Sequence, residues 1–215
     1  PTRPMRHEKD FGDDSAYGLL LQAGEVSFKD TPAEGWDMLG SSFRDHPFPA
    51  QPPEPFGVKG AWSVQDYNKV RMALELGAPY LEMAREAIAA PNPQVPTATS
   101  PDFPLPYLGK ARSLGRLLSA SAYAKEGAGD LAGAMDDLLT CIGLGNLVSR
   151  GGTLIGHLVD VAMTAIATDA MQRIPMRSEV PREVLRRTAC ELLEIADQVE
   201  PFAEAMRHEA IFGLA

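Results

Sequence analysis

Cysteine and histidine are scarce, with two Cys and four His among 215 residues. Two thiols, Cys141 and Cys190, are too few to form a disulfide framework or to point to a redox compartment. The histidines, His7, His46, His157 and His208, are scattered. None has a second histidine or a thiolate at ligand spacing, so no metal or other cofactor is expected. Basic residues are also in deficit: 20 Lys and Arg stand against 29 Asp and Glu, for a net charge of −9. Phosphate binding draws on a surplus of Lys and Arg, so nucleic acid is not an expected partner. No apolar run approaches the roughly 20 residues that cross a bilayer, so no membrane span is expected in this segment. Apolar alternation of period two is nowhere sustained, which removes strands from the expectation.

What is present reads as helix. At this length about 70% of the unfolded surface should be buried, so the chain needs no disulfide or metal to fold. Composition divides it at residue 62. Residues 1–54 carry ten acidic and five basic side chains, more than half of the net charge. Residues 1–62 hold both tryptophans, five of the eight phenylalanines and a proline run at 47, 49, 52, 53 and 55. They are expected to form an irregular acidic arm with one short helix, from Asp14 or Ser15 to about Val26. A helical body is expected over 63–215.

In the body, Ser63 with Asp66 resembles a capping box and starts a helix bearing Val64, Tyr67, Val70 and Leu74. Gly77 is read as its end and Pro79 as the first turn of another helix. Pro106 opens a helix with Leu108, Ala111, Leu114, Leu118 and Ala122 that closes at Gly127. Asp130 caps the next, with Leu131, Ala134, Met135, Leu138 and Ile142 on one stripe and Gly151 as its stop. Thr153 caps a third, whose apolar stripe is read as Leu154, Leu158, Val161, Ala162, Ala165 and Ile166, ending at Ile174-Pro175. Pro181 begins a fourth, with Leu185, Ala189, Leu192, Leu193, Ala196 and Val199. Pro201 begins a fifth, with Phe202, Ala205, Met206 and Phe212. Short links make neighbours antiparallel. The chain begins at Pro1 and stops at Ala215 inside a helical pattern, so both ends are expected to be cut from a longer chain. An upstream signal or anchor is left open, and localisation is not assigned.

The segment Tyr123-Ala124-Lys125-Glu126-Gly127-Ala128-Gly129-Asp130-Leu131-Ala132-Gly133-Ala134 resembles the centre of a tetratricopeptide repeat: aromatic, helix end, Gly-Asp, large apolar, two free positions, then Ala. Two extra residues, Gly127-Ala128, lengthen the turn, and no second copy follows at about 34 residues. The resemblance covers roughly 108–145 and implies a helical hairpin. Residues 78–215 more loosely resemble uncharacterised bacterial helical proteins that share the Gly-Asp hairpin and a Gly-Thr-Leu-Ile start to the next helix. That resemblance implies no activity. The expected fold is all-α, with antiparallel hairpins stacked in a tetratricopeptide-like or α-solenoid-like arrangement.

Catalytic readings fail on spacing. His157 and Asp160 lie one turn apart and can pair as base and orienting carboxylate, but no nucleophile accompanies them. His208-Glu209 lacks the second histidine of a zinc-protease helix, since position 212 is Phe. Asp130, Asp136 and Asp137 read as a solvated acidic face. The glycines at 143, 145, 151 and 152 lack the lysine and the preceding strand of a phosphate loop. Pro49-Ala50-Gln51-Pro52 and Pro93-Gln94-Val95-Pro96 fit a polyproline ligand pattern that is common in any proline-rich linker.

The function expected is a non-enzymatic protein-binding or scaffolding subunit of a larger assembly, with one or more protein partners. Trp36, Phe43, Phe48, Phe56 and Trp62 are the candidate partner-binding residues. The alternative is an α-helical enzyme or small-ligand-binding protein with a site near His157 and Asp160, with Asp169 as a further polar residue.

Overall fold

The computed structural model describes residues 12, 15–23, 47–53, 62–90, 93–98, 105–199 and 201–212. Among them are seven α-helices and no strand: α1 (Ala16–Ala23), α2 (Val64–Ala89), α3 (Pro106–Gly127), α4 (Leu131–Ser149), α5 (Leu154–Arg177), α6 (Arg182–Ala196) and α7 (Phe202–Phe212). The chain is all-α, as its periodicity implied.

The expected helix starts hold because each is set by a local hydrogen bond. The hydroxyl of Ser15 accepts from the N–H of Gly18, that of Ser63 from Asp66 and that of Thr153 from Gly156. The Asp130 carboxylate accepts from the N–H of Gly133 at 2.9 Å. Each satisfies a donor that the first helical turn leaves free. Gly129 turns the α3–α4 link with φ +82°, a conformation that a side chain would strain.

Two expected breaks are absent. Gly77 does not end a helix and Pro79 does not begin one; both lie inside the 26-residue α2. Its buried face runs unbroken through Tyr67, Val70, Ala73, Gly77, Leu81, Ala84 and Ala87. Packing along that face offsets the roughly 3 kcal/mol that an interior proline costs an isolated helix. Gly77 is there for contact, since a Cβ would lie 2.4 Å from Leu117 of α3. Pro175 is likewise inside α5, which continues to Arg177.

Helix α4 is the centre. It packs against α2, α3, α5 and α6, and 14 of its 19 residues are buried. Polar groups on such a helix must find partners in neighbouring helices. Asp137 therefore departs from the expected solvated acidic face: its side chain is 0% exposed. Arg85 of α2 donates to it at 2.5 Å, Ser121 of α3 at 2.6 Å, and the Lys125 ammonium of α3 lies 2.8 Å away. Asp136, one residue earlier, faces outward to Arg187 of α6. A second buried carboxylate, Glu126 at the end of α3, accepts from Arg177 at 2.7 Å and Ser178 at 3.0 Å. The Arg177 guanidinium also lies over the Tyr123 ring at 5.4 Å. These pairs tie α3 to α2, α4 and the end of α5.

Residues from the amino-terminal quarter belong to the same core. Leu20 of α1 is fully buried, and Tyr17 meets Tyr107 edge-on at 5.7 Å. Phe48 and Trp62 are each 6% exposed. Phe48 stacks on Tyr67 at 5.0 Å and meets Trp62 edge-on at 5.0 Å. The thiols are separate, Cys141 buried and Cys190 exposed, and both are free.

Ala134 is 0% exposed, in the first turn of α4. Ala134→Leu is expected to overpack its surroundings and cost about 1–3 kcal/mol, read as a lower denaturant midpoint. The double change Arg85→Ala/Lys125→Ala leaves the Asp137 carboxylate buried with Ser121 alone, and is expected to cost about 3–5 kcal/mol. Asp137→Leu removes the buried charge instead and should cost less than that double change in the same measurement.

Candidate functional site

The residues of the alternative site, His157, Asp160 and Asp169, all lie on α5. Asp160 points inward from α5, its carboxylate close to Gly145 of α4, and accepts a long bond from Thr164 at 3.4 Å. Burial raises its carboxyl above the ordinary value of 3.8, while the nearby His157 and the Thr164 hydroxyl lower it in part. The His157 ring lies 5.2 Å from that of Phe202 on α7. Asp169 pairs with Arg173 on its own helix at 2.9 Å. Among the described residues no group of three or more His, Cys, Asp or Glu could hold a metal ion. Burial pushes the Cys141 thiol up to about 12, which leaves it protonated and a poor nucleophile.

Other polar motifs prove structural. Glu209 accepts from the N–H of Leu154 at 3.1 Å and so closes the start of α5. The Gly151-Gly152 turn is small because Tyr107 and His208 press on it. A Cβ at 151 would lie 2.4 Å from the Tyr107 hydroxyl, and one at 152 would lie 2.3 Å from His208 Nδ1. Val95 and Pro96 are buried, and Pro93 accepts from Arg150 at 3.0 Å, so that proline segment is part of the fold. Ala50, Gln51 and Pro52 are exposed beside the buried Phe48. Of the five aromatic candidates, Phe48 and Trp62 pack on this chain's own helices. Trp36, Phe43 and Phe56 lie outside the described residues.

The conspicuous surface feature is α5, and its orientation reverses the sequence reading. The buried stripe is Gly156, Asp160, Met163, Ala167, Ala170 and Ile174. The expected core stripe faces away from α4: Leu158 is 58% exposed and Val161 53%, and Ile155 beside them is 58% exposed. Ala162 and Ala165 lie between them on the same side. Helix α5 is apolar on both sides, so counting apolar residues could not choose the inner one. Small residues decided it. Gly156, Ala167 and Ala170 let α5 approach α4 and α3 closely, which the bulkier Leu158 and Val161 could not do.

This outward face runs from Leu154 to Ile166, about 18 Å of helix. Beyond it, Asp169, Gln172 and Arg173 return the same side to polar character. Helix α7 lies antiparallel along the start of α5, with Phe202 beside His157 and Glu209 at Leu154. It adds two half-exposed apolar side chains one turn apart, Phe202 at 51% and Met206 at 46%. On α6 the expected stripe is also largely outward. Val184, Leu192 and Ile195 pack on the core, while Leu185 and Leu193 are exposed.

The expectation that no apolar stretch reaches membrane-crossing length is amended by the helices themselves. By length and composition alone, α4 and α5 are each long and apolar enough to cross a membrane. The relevant stretch of α4 is 72% buried inside the bundle, whereas that of α5 is 28% buried. The first figure is that of a core helix. The second restates the exposed face.

Asp160 supplies a pH test of the packing under this face. A carboxyl whose folded value is raised holds its proton more tightly when folded. Its contribution to stability is therefore full below the unfolded value and is lost as pH rises through the folded one. Asp160→Asn is expected to flatten the fall in unfolding free energy as pH rises above the ordinary carboxyl value of 3.8, measured by denaturant melts at successive pH values.

Comparison with protein-family models, with curated proteins and with solved structures finds no match to this chain, so its reading rests on its own residues.

Proposed function

We propose that this chain is a non-enzymatic protein-binding or scaffolding subunit whose docking surface is the outward face of α5 with the adjoining edge of α7. The supporting observation is the apolar run Ile155, Leu158, Val161 and Ala165, exposed on a helix whose other side is packed. Contiguous apolar surface of this kind on a folded domain marks an interaction site. A partner helix laid along it would bury side chains at the i, i+3, i+4 and i+7 spacing of helix-to-helix packing. The stacking intended in this reading is tetratricopeptide-like. The α3–α4 hairpin is its one repeat-like unit, and α5 offers the face against which a further helix stacks.

Charge favours a protein over a lipid surface. Interfacial helices carry Lys and Arg on the flank of their apolar face. The flank here carries His157, Thr164, Thr168 and the paired Asp169 and Arg173 instead.

The double change Leu158→Asp/Val161→Asp tests the reading in the native preparation. Both side chains are exposed, so the melting temperature should stay close to that of the parent chain, while partner protein that co-purifies with the parent should be lost. Retention of the same partner at the same stoichiometry would show that this face is not the docking surface.

A further inference from the structure

Helix α7 buries little of its own apolar surface. The residues it turns inward are Ala205, His208 and Glu209, one buried alanine and two half-buried polar side chains, while Phe202 and Met206 stay about half exposed. A helix packed on a core ordinarily buries its apolar set. The seat of α7 is the start of α5. The Glu209 carboxylate accepts from the Leu154 N–H at 3.1 Å, the His208 ring presses on the Gly152 turn, and the Phe202 ring lies 5.2 Å from that of His157.

That seat lies at one end of the docking stripe. Leu154, Leu158, Val161 and Ala165 follow the i, i+4, i+7 and i+11 spacing of one helix face. Leu158, Val161 and Ala165 are exposed, whereas Leu154 is half-buried, and Leu154 is where Glu209 of α7 bonds. We propose that α7 is a displaceable strap: an autoinhibitory contact that holds the amino-terminal end of the stripe through Glu209 and is lifted when a partner helix takes the whole stripe. The inference rests on the docking role argued above and adds its regulation.

The forces on the strap nearly oppose each other. Glu209 sits at the positive end of the α5 dipole, and its hydrogen bond is charge-assisted. Against it, His208 Nδ1 is buried without a partner, and release returns that nitrogen to water. Phe202 and Met206 gain no full burial in the closed position, and once lifted they can close on the partner from the side. A contact of this kind opens locally while the helices behind it stay folded. Helix α7 has 11 residues, a length that is marginal as a free helix in water, so its own amides report its release.

The experiment uses the full chain and has two arms. The first is hydrogen exchange at amides 206–212 in the chain alone. Glu209→Ala is expected to speed their exchange by about tenfold, the loss that one hydrogen bond to a charged group carries. Glu209→Gln, which keeps an acceptor without the charge, should fall between. The amides of α3 and α4 should exchange as in the parent. Equal rates at 206–212 in the parent and in Glu209→Ala overturn the strap. So does a rise that extends to α3 and α4, because Glu209 then belongs to the stability of the whole fold. The second arm titrates the co-purifying partner protein, once isolated, onto each chain. A site that must open first binds more weakly by the fraction that is open, so Glu209→Ala is expected to bind the partner up to about tenfold more tightly. Equal or weaker binding overturns the inhibitory role, since α7 then serves in place as a fixed wall. If α7 opens as expected and Leu158→Asp/Val161→Asp binds the partner like the parent, the docking face is wrong and the strap stands.

Discussion

A helix enclosed on every side imposes one requirement: each polar group on it must be answered by another helix. Helix α4 is in that position, and Asp137 is where the requirement is most severe. Its carboxylate has no exposed surface and is met by a guanidinium from α2 and by a hydroxyl and an ammonium from α3. Apolar packing alone would allow these helices to slide or rotate against one another. A carboxylate with three directional partners permits one register. Glu126, held by Arg177 and Ser178, does the same for the far end of α3 and the end of α5. The ends of α5 are tied to other helices, by Glu126 of α3 at one and by Glu209 of α7 at the other.

The rotation of α5 about its own axis decides which side of it is exposed. Helix α5 turns Gly156, Ala167 and Ala170 inward, where close approach to α3 and α4 is needed, and its bulkier Ile155, Leu158 and Val161 outward. Burying the outer set instead would gain apolar area but hold α5 away from Gly115, where the Met163 side chain and Cys141 now meet at close range. The outer face leaves these apolar side chains exposed in the single chain.

The amino-terminal quarter contributes to the fold rather than standing apart from it. Tyr17 and Leu20 of α1, with Phe48 and Trp62, are inside the core that also holds α2 and α3. The backbone of Phe48 lies so close to Gly127 that a Cβ there would strike its carbonyl. Phe48 and Trp62, expected to bind a partner, are instead held by burial within this chain. The surface that covers Phe48 and Trp62 is this chain's own.

Helix existence, helix starts and the all-α class were legible in the sequence because they depend on interactions within one or two turns. A Ser, Thr or Asp that caps the third N–H beyond it acts alike in any context. The start of α4 after Asp130 and of α5 after Thr153 could therefore be read directly, and that of α3 from the fixed φ of Pro106 in its first turn. The continuity of α2 through Gly77 and Pro79 could not, because the local penalty is offset by Leu117 and other residues far along the chain. The burial of Asp137 was illegible for the same reason: its partners are 52, 16 and 12 residues away, and an Asp beside another Asp reads as solvated. Nor could the outward turn of α5 be read, since a helix apolar on both sides carries no internal label for its inner face. Tertiary structure decided which face was buried, through its packing against α3 and α4, and so which apolar residues were left exposed.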